Sequence, residues 1–293
     1  MFCLNLIFTT RIYAEEENTT FNTYLLIGRD NQQNSELLLG ADIGLKSQIQ
    51  LNAGLYRSKD DANTSFTRQN SLGIGSNPYH LISFSFYRDS TIQSSKIEQA
   101  LLNLLNNPIT NTSELKSIKY GLTTNINLDD WQFGITPILN KISLTLPTYH
   151  EFKTKTKGIN LAITYLGFDN YFIAASIFRS ELEDIKTSSN LNPQTRLSRW
   201  LLARITQSSA SSIEGQNSSI GFGRFFMWGS ISYNFQVSHS IEVFQQRLRN
   251  DIHSISTSYS LSKVTQLDFG FSYLKDSSNT TIYNTNIGLN YYW

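Results

Sequence analysis

The sequence is short of charge, of cysteine and of long apolar runs, and each shortage excludes a class of protein. Asp, Glu, Lys and Arg make up 16% of the 293 residues, against about 25% in an average soluble protein. The 24 basic and 23 acidic residues nearly cancel, so charge gives no reason to expect a nucleic-acid partner. The single cysteine excludes a disulfide framework and any site built from several cysteines. No stretch approaches the roughly 18 consecutive apolar residues that a membrane-spanning helix needs.

Aromatic and small polar residues are abundant instead. Aromatics make up 13% of the chain, with 15 Tyr and 18 Phe, whereas a disordered chain would have few of them. The mean hydropathy is nevertheless only −0.27. At about 150 residues per domain the length fits two soluble domains, although a single barrel commonly reaches this length. The fold must therefore accommodate many aromatic side chains beside few charges.

The N-terminus resembles the end of a secretory signal peptide. Residues 2–8 form a short apolar core, and residues 12–14 would be the cleavage region before three consecutive glutamates. No basic residue precedes the core, which a start site placed too far downstream would explain. We predict that residues 1–14 are a signal-peptide remnant and that residues 15–293 form one transmembrane barrel domain. The alternative is that the N-terminus is disordered or forms a first strand.

Apolar and polar residues alternate with a period of two along much of the chain, which is typical of β-strands with one apolar and one polar face. In the last segment Ile287, Leu289 and Tyr291 share one face, whereas Asn284 and Asn286 lie on the other. The polar faces consist mainly of Ser, Asn, Gln, Thr and Gly, and many apolar faces end in an aromatic residue, as a membrane girdle would. Because every backbone group in lipid must be paired, such strands cross a membrane only as a closed barrel.

The connections alternate between short and long, which is the pattern of bacterial outer-membrane barrels. Short turns are predicted at Lys46-Ser47, Ser76-Asn77-Pro78, Asp129-Asp130, residues 167–170, residues 228–230 and Ser262-Lys263. We predict an all-β fold, a transmembrane antiparallel β-barrel of about 14 strands. The alternative is a barrel of about 12 strands, because residues 65–75 and 229–251 are weakly patterned.

Two segments in the predicted long loops have helical periodicity. Residues 94–106 carry apolar residues at helical spacing after a capping-box pattern at Ser95 and Glu98, and Pro108 follows as a stop. Residues 192–207 begin with Asn-Pro, which suits the start of a helix. We predict one short helix in each loop, over the outer rim or at the lipid interface. Alternatively, one of the two folds into the lumen and narrows it.

The C-terminal sequence YNTNIGLNYYW ends in an aromatic residue, and apolar residues precede it at alternate positions: Ile287, Leu289, Tyr291 and Trp293. This pattern resembles the terminal assembly signal of Gram-negative outer-membrane proteins, and residues 269–293 resemble the closing hairpin of many porins. The resemblance implies a porin-like β-barrel in the bacterial outer membrane that the barrel-assembly machinery recognises during biogenesis. It points to the class and to no particular family within it.

The sequence contains no pattern that indicates catalysis or metal binding. His239 and His253 are each followed by serine, and adjacent residues of a strand point to opposite faces, so neither pair unites a nucleophile with its base. The motifs GxSxG and HExxH do not occur, nor does a Gly-rich phosphate loop. We expect no catalytic residue, no metal and no cofactor. An outer-membrane enzyme acting on lipid or lipopolysaccharide is kept as an alternative.

The polar strand faces supply a predicted pore lining that is polar and nearly uncharged. Its members are Gln50, Asn52, Lys119, Asn125, Gln132, Asn160, Thr164, Asn234, Gln236, Ser256, Ser258, Asp268, Asn284, Asn286 and Asn290. A barrel of about 14 strands is wider than its side chains usually fill, so we predict a passive channel for small, polar, neutral solutes. The alternative is a non-conducting surface or adhesion barrel whose plugged lumen these residues hold together.

The expected partners follow from that location. They are outer-membrane lipid and lipopolysaccharide, with the barrel-assembly machinery during biogenesis and, as a further option, other copies of the same chain in a homo-oligomer. No nucleic acid is expected.

Overall fold

In the computed structural model the described residues are 20–31, 34–45, 49–59, 65–79, 81–96, 112–145, 151–168, 170–183, 186–187, 214–240, 249–276 and 280–292. They form one antiparallel sheet that closes on itself from Thr20 to Tyr292. The predicted signal-peptide remnant at residues 1–14 lies outside the described residues. Within the described ranges, no helix is long and apolar enough to cross a membrane.

The sheet has 15 strands, of which 14 form the closed barrel. They are β1 (Thr20–Asp30), β2 (Ser35–Leu45), β3 (Ile49–Lys59), β4 (Ser65–Tyr79), β5 (Ile82–Lys96), β6 (Thr112–Leu128), β7 (Trp131–Thr145), β8 (Glu151–Phe168), β9 (Tyr171–Leu182), β10 (Lys186–Thr187), β11 (Glu214–Phe226), β12 (Gly229–Ser240), β13 (Arg249–Ser260), β14 (Thr265–Asp276) and β15 (Thr281–Tyr292). The two-residue β10 pairs with β8, while β9 pairs with β11 and β1 pairs with β15 to close the ring. The predicted barrel of about 14 strands is thus confirmed, and the alternative of about 12 is wrong.

The cross-strand register keeps one phase around the whole ring, so the barrel has a consistent inner and outer face. On the outer face Leu25 is paired with Leu39 and Leu289, whereas on the inner face Asn52 is paired with Asp42. The large apolar side chains that the strands leave exposed belong to the outer face. An apolar outer face around a mainly polar interior is the arrangement of a β-barrel in a lipid bilayer.

Short turns lie at one rim of the barrel, called the turn rim below. The start of β1 at Thr20 and the end of β15 at Tyr292 lie at the same rim. Asp129 and Asn170 have positive φ values of 49° and 63° in two of these turns, a backbone conformation that Asp and Asn tolerate. The turn predicted at residues 76–78 is wrong in position, because β4 continues to Tyr79. The pairing of β4 with β5 is irregular after Ser76, and such an irregularity accommodates the proline at position 78.

The longer connections lie at the opposite rim, called the loop rim below. The helix predicted over residues 94–106 is wrong at its start, because Ser94, Ser95 and Lys96 are the last residues of β5 and pair with β6. Backbone hydrogen bonds to the neighbouring strand override the local helical pattern there. The rest of that segment, and residues 192–207, lie outside the described residues.

Candidate functional site in the barrel interior

The register places all the residues predicted to line the pore on the inner face of the barrel. They come from eight strands, β3, β6, β7, β8, β12, β13, β14 and β15, so they are spread around the wall and not gathered at one point. Their role in lining a water-filled pore stays a prediction. Of the predicted assembly signal, Ile287, Leu289 and Tyr291 lie on the outer face of β15, and Trp293 lies outside the described residues.

Polar side chains of the inner face bond sideways to the next strand. Pairs of this kind are Ser117 with Asn140 at 2.7 Å, Thr123 with Thr136 at 2.9 Å, Ser176 with Ser219 at 2.8 Å and Ser232 with Ser256 at 2.6 Å. A buried polar group costs free energy unless it is hydrogen-bonded, and these bonds meet that need within the wall. Side chains tied to the neighbouring strand lie along the wall instead of extending across the barrel.

Bulky inward side chains lie against glycines of the neighbouring strand. Tyr24 is paired with Gly40, and Tyr87 with Gly121, across the strands. A Cβ atom on either glycine would overlap the tyrosine ring, so each ring rests flat on the backbone opposite. Asn52 lies over Gly73 in the same way. Glycine therefore keeps these side chains flat against the wall, because any other residue would push them inward.

Carboxylates outnumber amines on the inner face of the described strands. The inward acidic residues are Asp30, Glu36, Asp42, Asp89, Asp268 and Asp276. Lys119 is the one inward basic residue of those strands, and it lies opposite Asp89. Asp30 and Asp276 accept backbone hydrogen bonds within their own loop-rim turns. Of these residues, the sequence pattern predicts Lys119 and Asp268 for the lining but not the other acids, whose segments alternate less clearly.

Side-chain amide groups of neighbouring residues donate hydrogen bonds to two of these carboxylates. Asp268 accepts hydrogen bonds from Gln266 at 2.8 Å and from Asn290, and Glu36 accepts one from Asn284 at 3.3 Å. These hydrogen bonds fix the positions of both carboxylate groups in the wall.

The alternation inverts near the loop rim, where the longest strands extend beyond the apolar band. β6, β7 and β8 have 17, 15 and 18 residues. In β7 the outward residue is Lys141, whereas Ile142 and Leu144 point inward with only 4% and 5% of their surface exposed. Leu115, opposite Leu144, is equally buried. Where the outer face meets water instead of lipid, apolar side chains are more stable inside the barrel.

An aromatic belt lies on the outer face at the turn rim, on β7 and β8 and around β11 to β13. Trp131 packs on Tyr165 with ring centroids 4.5 Å apart. Trp228 lies between Phe226 at 4.8 Å and Tyr259 at 5.8 Å. Trp and Tyr prefer the lipid–water boundary because their rings are apolar on one side and polar at one end. The belt therefore marks one membrane boundary.

His253 lies on the outer face of β13, among aromatic side chains. Its Nδ1 is 2.7 Å from the Tyr233 hydroxyl oxygen, and the rings of Phe235 and Tyr273 lie 4.7 Å and 5.9 Å away. This is the environment of a girdle residue at a membrane boundary. In the part of the chain that the structure describes, no group of three or more His, Cys, Asp or Glu side chains could hold a metal ion.

Comparison with solved structures identifies this architecture. The toluene transporter TodX of P. putida has 10% sequence identity and a TM-score of 0.55, with 94% of this chain and 90% of that chain covered. The hydrocarbon channel CymD has 11% identity and a TM-score of 0.52, with 94% and 88% covered. A Pseudomonas aeruginosa FadL homologue has 8% identity and a TM-score of 0.50, with 94% and 89% covered. The chain has the fold of a bacterial outer-membrane β-barrel.

The outer-membrane barrel fold agrees with the apolar outer face and the aromatic belt. The predicted location in the bacterial outer membrane agrees with this fold. No protein-family model matches the sequence, and no curated protein matches it either. The similarity to the three solved barrels, at about a tenth sequence identity, concerns the fold alone.

Proposed function

We propose that this outer-membrane barrel is a passive channel for small polar solutes. The observation that carries the proposal is the inner wall, in which polar side chains bond sideways and bulky side chains lie flat over glycines. Such a wall offers hydrogen bonds to a passing solute without extending across its path. The solute diffuses through, and no catalytic step is involved.

The charge of the wall also bears on the class of solute. Of the inward acids, Glu36, Asp42, Asp89 and Asp268 take no part in the loop-rim turns, and the one inward basic residue of the described strands is Lys119. Rings of acidic side chains favour cations over anions in pores. We therefore extend the expected solutes from neutral molecules to neutral and positively charged ones.

Conductance across a planar lipid bilayer tests the proposal. The purified, folded protein is expected to give stepwise ion currents, with a reversal potential in a salt gradient that indicates cation preference. Asp268→Asn together with Glu36→Gln should lower that preference, whereas Asp251→Asn on the outer face of β13 should leave it unchanged. Absence of current from protein shown to be folded would contradict the channel.

A second candidate is a channel for small apolar molecules. Leu115, Ile142 and Leu144 form an apolar inner surface near the loop rim, and two of the solved barrels with this fold are described as a toluene transporter and a monoaromatic hydrocarbon channel. Liposomes containing the protein distinguish the two candidates. Swelling in isotonic sugar supports the polar channel, and accelerated entry of toluene without sugar permeation supports the apolar one.

A further inference from the structure

Basic side chains cluster on the outer face near the loop rim, on one side of the barrel. Six of them define what we call the basic arc: Arg57, Arg68, Arg88, Lys141, Lys155 and Arg179. They belong to six strands between β3 and β9, and all six side chains are exposed. Arg57, Lys141, Lys155 and Arg179 lie on the loop side of the outward apolar residues of their own strands. Arg68 and Arg88 each have one more outward apolar residue on their loop side, Phe66 and Ile92.

The arc contains cations that face one another without a carboxylate between them. Arg57 is directly opposite Arg68, and Lys141 is directly opposite Lys155. Like charges at directly paired positions of a sheet destabilise it. Lys116, Lys153 and Lys157 nearby form ion pairs with glutamates, but among the described residues no ion pair reaches Arg57, Arg68 or Lys155. An anion from outside the chain would relieve both repulsions.

The opposite side of the barrel has a different chemistry at the same level. There, on β12 to β15, the outer face carries Tyr233, Phe235, His253, Tyr273 and Tyr283, whose rings pack on one another. An ordinary interfacial girdle is built in this way. Arg249 and Lys275 also lie on the outer face there, but both are next to the carboxylate of Asp251. Within the described strands, directly facing cations with no carboxylate beside them are therefore found in the basic arc.

The position of the arc indicates its partner. In outer-membrane barrels the long loops are extracellular, so the arc lies at the headgroup level of the outer leaflet and faces lipid. We propose that the basic arc binds the phosphate groups of lipopolysaccharide, with the paired cations Arg57 with Arg68 and Lys141 with Lys155 as two phosphate-binding points. Arginine binds phosphate through two parallel hydrogen bonds and lysine binds it as a point charge. This inference does not depend on the proposed channel activity.

Binding of purified lipopolysaccharide to the folded, detergent-solubilised protein tests the proposal. The unmodified chain is expected to bind it, and to bind the same lipopolysaccharide at least about tenfold more weakly after enzymatic removal of its phosphates or at high salt. Arg57→Gln, Arg68→Gln and Lys155→Gln combined should cause a loss of similar size. The matched control combines Arg249→Gln, Lys263→Gln and Lys275→Gln, which removes the same charge outside the arc and should leave binding unchanged.

Thermal unfolding distinguishes a loss of lipopolysaccharide binding from a loss of folding. In detergent without lipopolysaccharide the triple variant should be at least as stable as the unmodified chain, because both repulsive pairs have been removed. Added lipopolysaccharide should raise the unfolding temperature of the unmodified chain and of the control only. Should the triple variant fail to fold, Arg57→Gln and Lys155→Gln serve singly, each with a smaller loss.

Four outcomes would overturn the proposal. They are equal binding of phosphorylated and dephosphorylated lipopolysaccharide, an equal loss in the control variant, equal competition by phosphatidylglycerol vesicles, and displacement by millimolar inorganic phosphate. The last two would assign the arc to anions in general and not to the glycolipid of the outer leaflet.

Discussion

At the scale of single residues, the contact between an inward side chain and the glycine opposite it shapes the interior. Tyr24 over Gly40 and Tyr87 over Gly121 are pairs of this kind. The register places all four residues on the inner face. Alternation in a sequence does not predict which residues face each other, because a one-residue change of register would separate them.

Gly40→Ala should therefore be costly, whereas Gly75→Ala should be tolerated. A Cβ on Gly40 overlaps the Tyr24 ring, but a Cβ on Gly75 would meet nothing nearer than 3.5 Å. We expect the first substitution to lower the free energy of unfolding by about 1–3 kcal/mol and to reduce single-channel conductance, because the displaced ring moves into the lumen. Urea unfolding and bilayer recordings on both variants check this. Equal effects at the two glycines would contradict the close packing of the Tyr24 ring on Gly40.

At the scale of the strand, the point where the alternation inverts decides which residues face lipid. The sequence patterns of β13, β14 and β15 keep one phase over most of their length and were correctly assigned to inner and outer faces. In β7 the phase is also constant, but beyond Leu139 the chemistry of the two faces is exchanged. A hydrophobic pattern reports the difference between the two environments of a strand, and that difference reverses where the strand leaves the membrane.

Lysine substitution along the outer face of β7 should locate this boundary. Lysine in place of Ile135, within the apolar band, is expected to cost about 2–4 kcal/mol, and lysine in place of Leu139, next to Lys141, about 0–1 kcal/mol. Both side chains face outward on the same strand, so strand propensity cancels in the comparison. Reversible unfolding from lipid vesicles gives both values. A similar cost at the two positions would place the boundary nearer the loop rim.

At the scale of the whole molecule, closure depends on the last strand. β15 pairs with β14 on one side and, from Asn284 to Tyr292, with β1 on the other. Without β15 the barrel would expose two unpaired strand edges, and lipid cannot hydrogen-bond their backbone N–H and C=O groups. The segment predicted to carry the assembly signal is therefore also the segment that closes the ring, and its apolar residues Ile287 and Leu289 lie outward.

Leu289→Asn is predicted to slow assembly by the barrel-assembly machinery more than it slows spontaneous folding into detergent. Its matched control is Ile255→Asn on β13, which also puts an amide on the exposed apolar face. Spontaneous folding into detergent should be slowed to a similar extent in both variants. In membranes that contain the barrel-assembly machinery, only Leu289→Asn should show a further delay, since Leu289 belongs to the predicted signal. Equal delays for the two variants would contradict the prediction that Leu289 is part of an assembly signal in β15.

The sequence by itself determined the fold class of this protein, favoured the observed strand number and placed the predicted lining residues on the correct face. A period of two, aromatic strand ends and alternating loop lengths are local features, and lipid admits only a closed barrel for such strands. The tertiary structure alone decided which side chains meet across strands, namely the tyrosines over glycines, the inward carboxylates and the paired cations of the basic arc. These contacts join residues that are distant along the chain, and they depend on register, which local alternation leaves undetermined.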